Sequence, residues 1–197
     1  MSISLVKGQK IDLTKGRSGL AKVIIGLGWD PVEARGFFGV KKKQANIDCD
    51  ASVLMLNEQS KLTNEHHVIC FYNKQSPCQS VIHSGDNLTG EGDGDDEQIM
   101  IDLSKVPANV SKILAVVNIY DCVNRKQDFG MIKSAYIRVM DGSNSSELVR
   151  FNLSESYAGK TALICGELYR HDGEWKFAAI GEGTHATHVN QIAAAHQ

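Results

Sequence analysis

Six carboxylates fall within twelve residues at Asp86, Glu91, Asp93, Asp95, Asp96 and Glu97, with no lysine or arginine among them. Glycines interrupt the run at Gly85, Gly90, Gly92 and Gly94, and Asn87 adds an amide oxygen. Two carboxylates ~4 Å apart repel by ~1 kcal/mol in bulk water and ~4 kcal/mol at an effective dielectric of 20. Drawing several together therefore needs a counter-charge. The glycines permit it, because positive φ lets backbone carbonyls turn inward beside the carboxylates.

Calcium suits such a segment best. It takes six to eight oxygen ligands in flexible geometry, whereas magnesium demands a tight octahedron and keeps its waters. Zinc and copper want nitrogen or sulfur, which the segment lacks. The segment is not an EF-hand. With Asp86 first and Glu97 twelfth, Leu88 and Gly90 fall where oxygen side chains belong, and Glu91 falls where glycine belongs. It is not a calcium β-roll either, since the Gly-Asp pattern occurs once. The expected metal ligands are Asp86, Asn87, Gly90, Gly92, Asp93, Asp95, Asp96 and Glu97. Asp48 and Asp50 join them, being two apart on a strand and so on one face. Asp30, in a Gly-Trp-Asp-Pro turn, is a further candidate, and Asp121 follows an apolar strand.

Catalytic signatures are missing. Gly16-Arg17-Ser18-Gly19 lacks the remainder of a phosphate-binding loop, and there is no Gly-x-Ser-x-Gly elbow. His83 precedes the acidic segment and is the one candidate general base. No nucleophile–base pair is readable, so the expectation is a protein that is not an enzyme.

The elements that must position these residues are strands. Short apolar runs rich in Val, Ile, Tyr and Phe alternate with Gly, Asn, Asp and Ser clusters. They cover Ser2–Val6, Gln9–Leu13, Lys22–Leu27, Asp48–Leu56, His67–Tyr72, Ile99–Leu103, Lys112–Tyr120, Ser134–Val139, Glu147–Asn152, Thr161–Tyr169 and Trp175–Ile180. In Ser134–Val139 the residues Ala135, Ile137 and Val139 share one face. Lys112–Tyr120 is apolar on both faces and reads as a central strand. The pattern predicts an all-β chain, a β-sandwich of two mostly antiparallel sheets with long metal-binding loops. The irregular stretches are Asp30–Asn46 and His83–Gln98. Helix is expected at Val189–Ala195, and briefly after Pro107. The organisation reads as one domain over residues 1–184 and a tail over 185–197.

With 197 residues and a net charge of −2, the chain can bury a full core and has no general attraction for nucleic acid. Its one basic run, Lys41-Lys42-Lys43, lacks the interleaved aromatics of a single-strand binder. No apolar stretch reaches the length of a membrane span. No signal peptide is readable, and the five cysteines show no Cys-x-x-Cys spacing. The expectation is a cytoplasmic protein with reduced thiols.

Several stretches together resemble the TerD family of tellurium-resistance and general stress proteins. They are Ser2–Gly8, Gly26-Leu27-Gly28-Trp29-Asp30, Ile47-Asp48-Cys49-Asp50-Ala51-Ser52 and Gly85–Glu97. Asp128-Phe129-Gly130, Gly166–His171 and Gly173–Phe177 follow, so the resemblance runs to about Gly183. It implies a two-sheet sandwich binding Ca2+ at paired sites, with ligands from the acidic segment and from Asp48 and Asp50. It also implies roles in resistance to tellurite, phage, colicins and other stress. The expectation is a calcium-binding stress protein acting as a metal-dependent sensor or scaffold for other stress-response proteins. Two positions depart from the family pattern. Ile47 stands where Phe is frequent, and Asn152 where Arg-Tyr-Asp-Leu is usual. Neither touches the acidic segment. The alternative is a metal-dependent enzyme, or a binder of an anionic metabolite such as a nucleotide or phosphate.

Overall fold

A computed structural model of the chain describes residues 2–17, 19–31, 47–85, 94–153 and 155–197. Strands dominate it. The chain runs β1 (Ile3–Leu5), β2 (Lys10–Asp12), β3 (Lys22–Pro31), β4 (Cys49–Leu56), β5 (Val68–Ile69) and β6 (Val81–His83). It continues through β7 (Glu97–Asp102), β8 (Lys112–Ile119) and a one-turn helix α1 (Cys122–Arg125). Then come β9 (Ile132–Asp141), β10 (Glu147–Asn152), β11 (Ala162–His171), β12 (Glu174–Thr184) and α2 (Val189–Ala194).

Two six-stranded sheets result, ordered β1-β10-β9-β3-β7-β6 and β2-β12-β11-β8-β4-β5. Every pairing is antiparallel except β1 with β10. Alternation in sequence sets the faces. Val23, Ile25, Leu27 and Trp29 of β3, with Ile137 and Val139 of β9, pack between the sheets against Val53, Met55, Ile113, Ala115 and Phe177. Burying each large aliphatic chain contributes roughly 1.5–3 kcal/mol.

β4 and β8 are apolar on both faces because both faces are covered. Leu54, Leu56, Leu114 and Val116 point away from the other sheet and pack under Val189, Ile192 and Ala193 of α2. Those three helical positions, spaced i, i+3, i+4, form the apolar stripe of a short amphipathic helix. The central position expected for Lys112–Tyr120 is thus observed, and so is the C-terminal helix.

Four expectations need correction. Asp30 is not in a turn, because β3 continues through Pro31. β6 and the start of β7 occupy the two ends of the stretch read as irregular from His83 to Gln98. After Pro107 there is a turn closed by Val110 N–H on Pro107 C=O (3.0 Å) rather than a helix. The one-turn α1 lies outside the two places where helix was expected.

Candidate metal centre

β4 enters its sheet at Cys49, whose side chain joins the core between the sheets together with Ala51 and Val53. Asp50 is paired in register with Asn118 of β8, and the Asn118 amide donates to Asp50 Oδ2 at 3.3 Å. Both side chains are buried. Among the described residues Asn118 Oδ1 accepts no hydrogen bond, although it is fully buried. A buried carboxamide oxygen of this kind is costly unless something positive or hydrogen-donating meets it.

Asp48 lies just ahead, and its Oδ2 is 3.3 Å from Arg125 Nη1. Arg125 is brought there by the tight turn after β8. Asp121 and Lys126 frame α1, both in the left-handed region (φ 51° and 52°), so the chain doubles back within one turn. Non-glycine residues rarely adopt that conformation.

The facing sheet supplies the other half of this corner. Glu97 opens β7 with its side chain wholly buried, and it accepts a hydrogen bond from the Ala51 N–H. His83 of β6 reaches the same residue, with Nε2 3.1 Å from Ala51 C=O and 3.6 Å from Glu97 Oε2. Gly85 N–H donates to His83 Nδ1 at 3.2 Å. Nδ1 is therefore an acceptor, and Nε2 carries the proton it donates to Ala51. With both ring nitrogens held by backbone groups, His83 is a clamp between the sheets rather than an available base.

Asp96 N–H donates to Leu27 C=O at 2.8 Å, and its Oδ2 accepts from Trp29 N–H at 2.8 Å. Burial pushes its carboxyl above the usual aspartate range, and the fields of Asp30 and Asp95 add to this against the Trp29 hydrogen bond. The thiol of Cys49 registers the whole cluster. Burial first, then Asp50, Asp48, Glu97 and Asp96, drive it well above the ordinary cysteine value. The four carboxylates lie just ahead of β4 (Asp48), on β4 (Asp50), just ahead of β7 (Asp96) and on β7 (Glu97).

Asp95 stands apart from them. It lies over Gly26 on the outward face of its sheet, where an added Cβ at Gly26 would sit 2.1 Å from Asp95 Oδ2. Its Oδ1 accepts from Arg138 Nε (2.7 Å) and Tyr136 OH (3.0 Å), and its Oδ2 from Gln98 (3.0 Å). The single Tyr136 hydroxyl proton is shared between Asp95 and the nearer Gly94 C=O at 2.6 Å, which pins the backbone just before Asp95. Gly28 is open for the same reason as Gly26, since the Tyr136 ring fills the place of its side chain. Asp30 accepts from Ser134 Oγ at 2.6 Å near the surface. Asp86, Asn87, Gly90, Gly92, Asp93 and the basic run Lys41–Lys43 lie outside the described residues.

Two residues of the corner were not anticipated. Asn118 was visible as the one polar side chain inside the apolar run Ile113–Ile119, a signal in itself. Arg125 gave none, because its role depends on the left-handed turn.

The donor set suits a hard divalent cation: carboxylates and a carboxamide oxygen, without an imidazole or thiolate free to ligate. Among the described residues no group of three or more His, Cys, Asp or Glu side chains encloses one point closely enough to hold an ion. A full shell would need further oxygens.

Fold and site together define a two-sheet β-sandwich with an acidic corner. The family described as TerD domain matches residues 1–196, through the tail where the recognised resemblance stopped. The chain belongs to that family of tellurium-resistance and general stress proteins. It is 60% identical to the stress response protein SCP2 of Bacillus subtilis (strain 168), covering 98% of each chain. It is 43% identical to the tellurium resistance protein TerD of Serratia marcescens, over 93% of this chain and 91% of that one. A crystal structure of a telluride resistance protein homologue from Streptomyces coelicolor A3(2) shares the fold with a TM-score of 0.67 at 20% identity, covering 91% of this chain and 99% of that one. No helix among the described residues is long and apolar enough to cross a membrane, and all five cysteines are free thiols.

Proposed function

We propose that this protein is a calcium-binding stress-response protein acting as a metal-dependent sensor or scaffold for partner proteins in the cytoplasm, without catalytic activity. The features that support the reading are four carboxylates, Asp48, Asp50, Asp96 and Glu97, whose charges all raise the Cys49 thiol, and the buried Asn118 Oδ1 on the side chain that bonds Asp50. These residues would hold the ion, and oxygens of residues 86–93 would complete its shell. Bound calcium supplies the positive charge that lets these carboxylates stay ionised together. Reduced cysteines support a cytoplasmic setting, and membership of a stress-protein family supports the biological role.

The alternative is an enzyme, or a binder of a nucleotide or phosphate gripped through the metal. The engagement of His83 on both ring nitrogens weighs against a catalytic base at this corner. The test pairs survival with turnover. Cells lacking their own copy and carrying Asp50→Asn/Asp96→Asn should lose tellurite tolerance that the wild-type gene restores. Hydrolysis of a nucleotide or phosphate ester by the purified wild type, abolished in the variant, would establish the enzyme reading instead.

A further inference from the structure

α2 is fastened at both ends, and the two fastenings differ in what a proton does to them. The helix covers Leu54, Leu56, Cys70, Leu114 and Val116 with Val189, Ile192 and Ala193. Its far end is tied to the turn after β4 by bonds that protonation leaves intact. Leu62 N–H donates to His196 C=O at 2.7 Å, and Lys61 Nζ donates to Gln197 C=O. His196 Nδ1 donates to Ser60 C=O at 2.8 Å, which a protonated ring does equally well.

The entry to the helix is held by two histidines acting as acceptors. His188 is the N-cap, and its Nδ1 accepts from Asn190 N–H at 3.1 Å. His185 Nε2 accepts from Lys160 Nζ at 3.0 Å. A backbone N–H and an ammonium can only donate, so each of these ring nitrogens presents a lone pair and each ring is neutral. His185 is exposed and His188 partly buried, so protons reach both. Lys160 is the charged group facing His185. Facing His188 is Tyr72, whose ring stacks on it at 5.8 Å and whose hydroxyl donates to Asn190 at 2.8 Å. Burial pushes that hydroxyl up to about 12, so Tyr72 stays uncharged. Among the described residues the histidines paired with carboxylates are His66, His83 and His171, so no carboxylate here favours the charged ring.

We infer that His185 and His188 form a proton-sensitive latch on α2, which seats the helix at neutral pH and loosens it in mild acid. A proton added to His188 Nδ1 takes up the lone pair that accepts from Asn190, and two N–H groups then face each other. A proton added to His185 Nε2 does the same against Lys160 and sets two positive charges side by side. The seated helix selects the neutral rings, so the latch is complete at higher pH and is lost as pH falls. Loosening bares Leu54, Leu56, Leu114 and Val116, an apolar face that the neutral protein keeps closed.

Hydrogen exchange of the full-length protein, followed by NMR at pH 7 and pH 5 and corrected for the intrinsic pH dependence of exchange, tests this. The Asn190, Gln191 and Ala195 amides should lose about tenfold in protection at pH 5, the order expected for losing a helix cap. The Leu114 and Val116 amides of the central strand should keep theirs, which separates loosening of α2 from unfolding of the sandwich. His188→Asn retains a capping oxygen that takes no proton, and His185→Gln retains an acceptor for Lys160. The double variant should therefore hold its α2 protection at pH 5. Equal α2 protection at the two pH values in wild type, or the same loss in wild type and double variant, overturns the inference. If the double variant fails to fold, the wild-type ring resonances decide. His185 and His188 must titrate over the same pH range in which the α2 amides lose protection, and separate midpoints overturn the inference equally.

Discussion

The carboxylate of Glu97, on one sheet, accepts a hydrogen bond from the backbone N–H of Ala51 on the other. Ala51 lies past the end of the β4–β5 pairing, which covers only Val53 and Leu54. Its outward N–H would otherwise be buried without a strand partner. Glu97→Ala should therefore destabilise the fold by about 2–3 kcal/mol, because a buried donor is left unmade. Glu97→Gln keeps an acceptor and should cost less than half of that. Urea unfolding measures both, and equal midpoints for wild type and Glu97→Ala would disprove the clamp.

Gly26 is required by Asp95. A methyl at residue 26 would meet the Asp95 carboxylate at 2.1 Å, and Arg138, Tyr136 and Gln98 hold that carboxylate in place. Gly26→Ala should cost about 1–3 kcal/mol as an overpacking change. Unfolding midpoints give the figure. A neutral or stabilising effect would mean that the Asp95 network yields freely.

Glu147 should make the protein sensitive to acid. Burial opposes its ionisation, but hydrogen bonds from Ser2, Arg150 and Arg138 outweigh burial and hold its carboxyl below the ordinary value of 4.5. A depressed folded value means that the unfolded chain binds more protons in that range, so stability rises with pH there. The contribution is complete above pH 4.5 and is lost as pH falls through the lower folded value. Glu147→Gln should be less stable than wild type at pH 7 and converge on it in acid. A difference independent of pH from 7 to 3 would contradict this.

The sandwich was legible because most of its strands are long enough to show a period. Val23, Ile25 and Leu27 alternate clearly, and the doubly apolar run Ile113–Ile119 announced a covered central strand. β6, with only Val81, Ile82 and His83, is too short to carry a period. α1 has one turn and owes its shape to Asp121 and Lys126 rather than to any helical pattern. The acidic composition of the site was equally plain, but its division was not. Asp95, Asp96 and Glu97 are neighbours in sequence that serve a surface arginine, a backbone amide and the opposite sheet. Only pairing across the sheets decides which goes where.

That division gives opposite outcomes for the β4-side aspartates and for Asp95. Asp50→Ala, and Asp48→Ala with it, should weaken calcium binding tenfold or more, at least about 1.4 kcal/mol. Asp95→Asn should leave calcium affinity nearly unchanged and lower stability by about 1.5–3 kcal/mol, since its charged hydrogen bonds to Arg138 and Tyr136 serve the sheet. Calorimetry and urea unfolding on the same preparations separate the two. The reverse pattern would move the ion to the outward face.

Calcium titration of the chelator-treated wild-type protein tests the central claim most directly, by calorimetry with melting curves on the same samples. The account predicts a saturable heat and a higher melting temperature. At ~100 times the dissociation constant the bound ion adds ~2.7 kcal/mol to folding stability. Magnesium at equal concentration should do much less. No heat, and identical melting curves with calcium and with chelator, would contradict it.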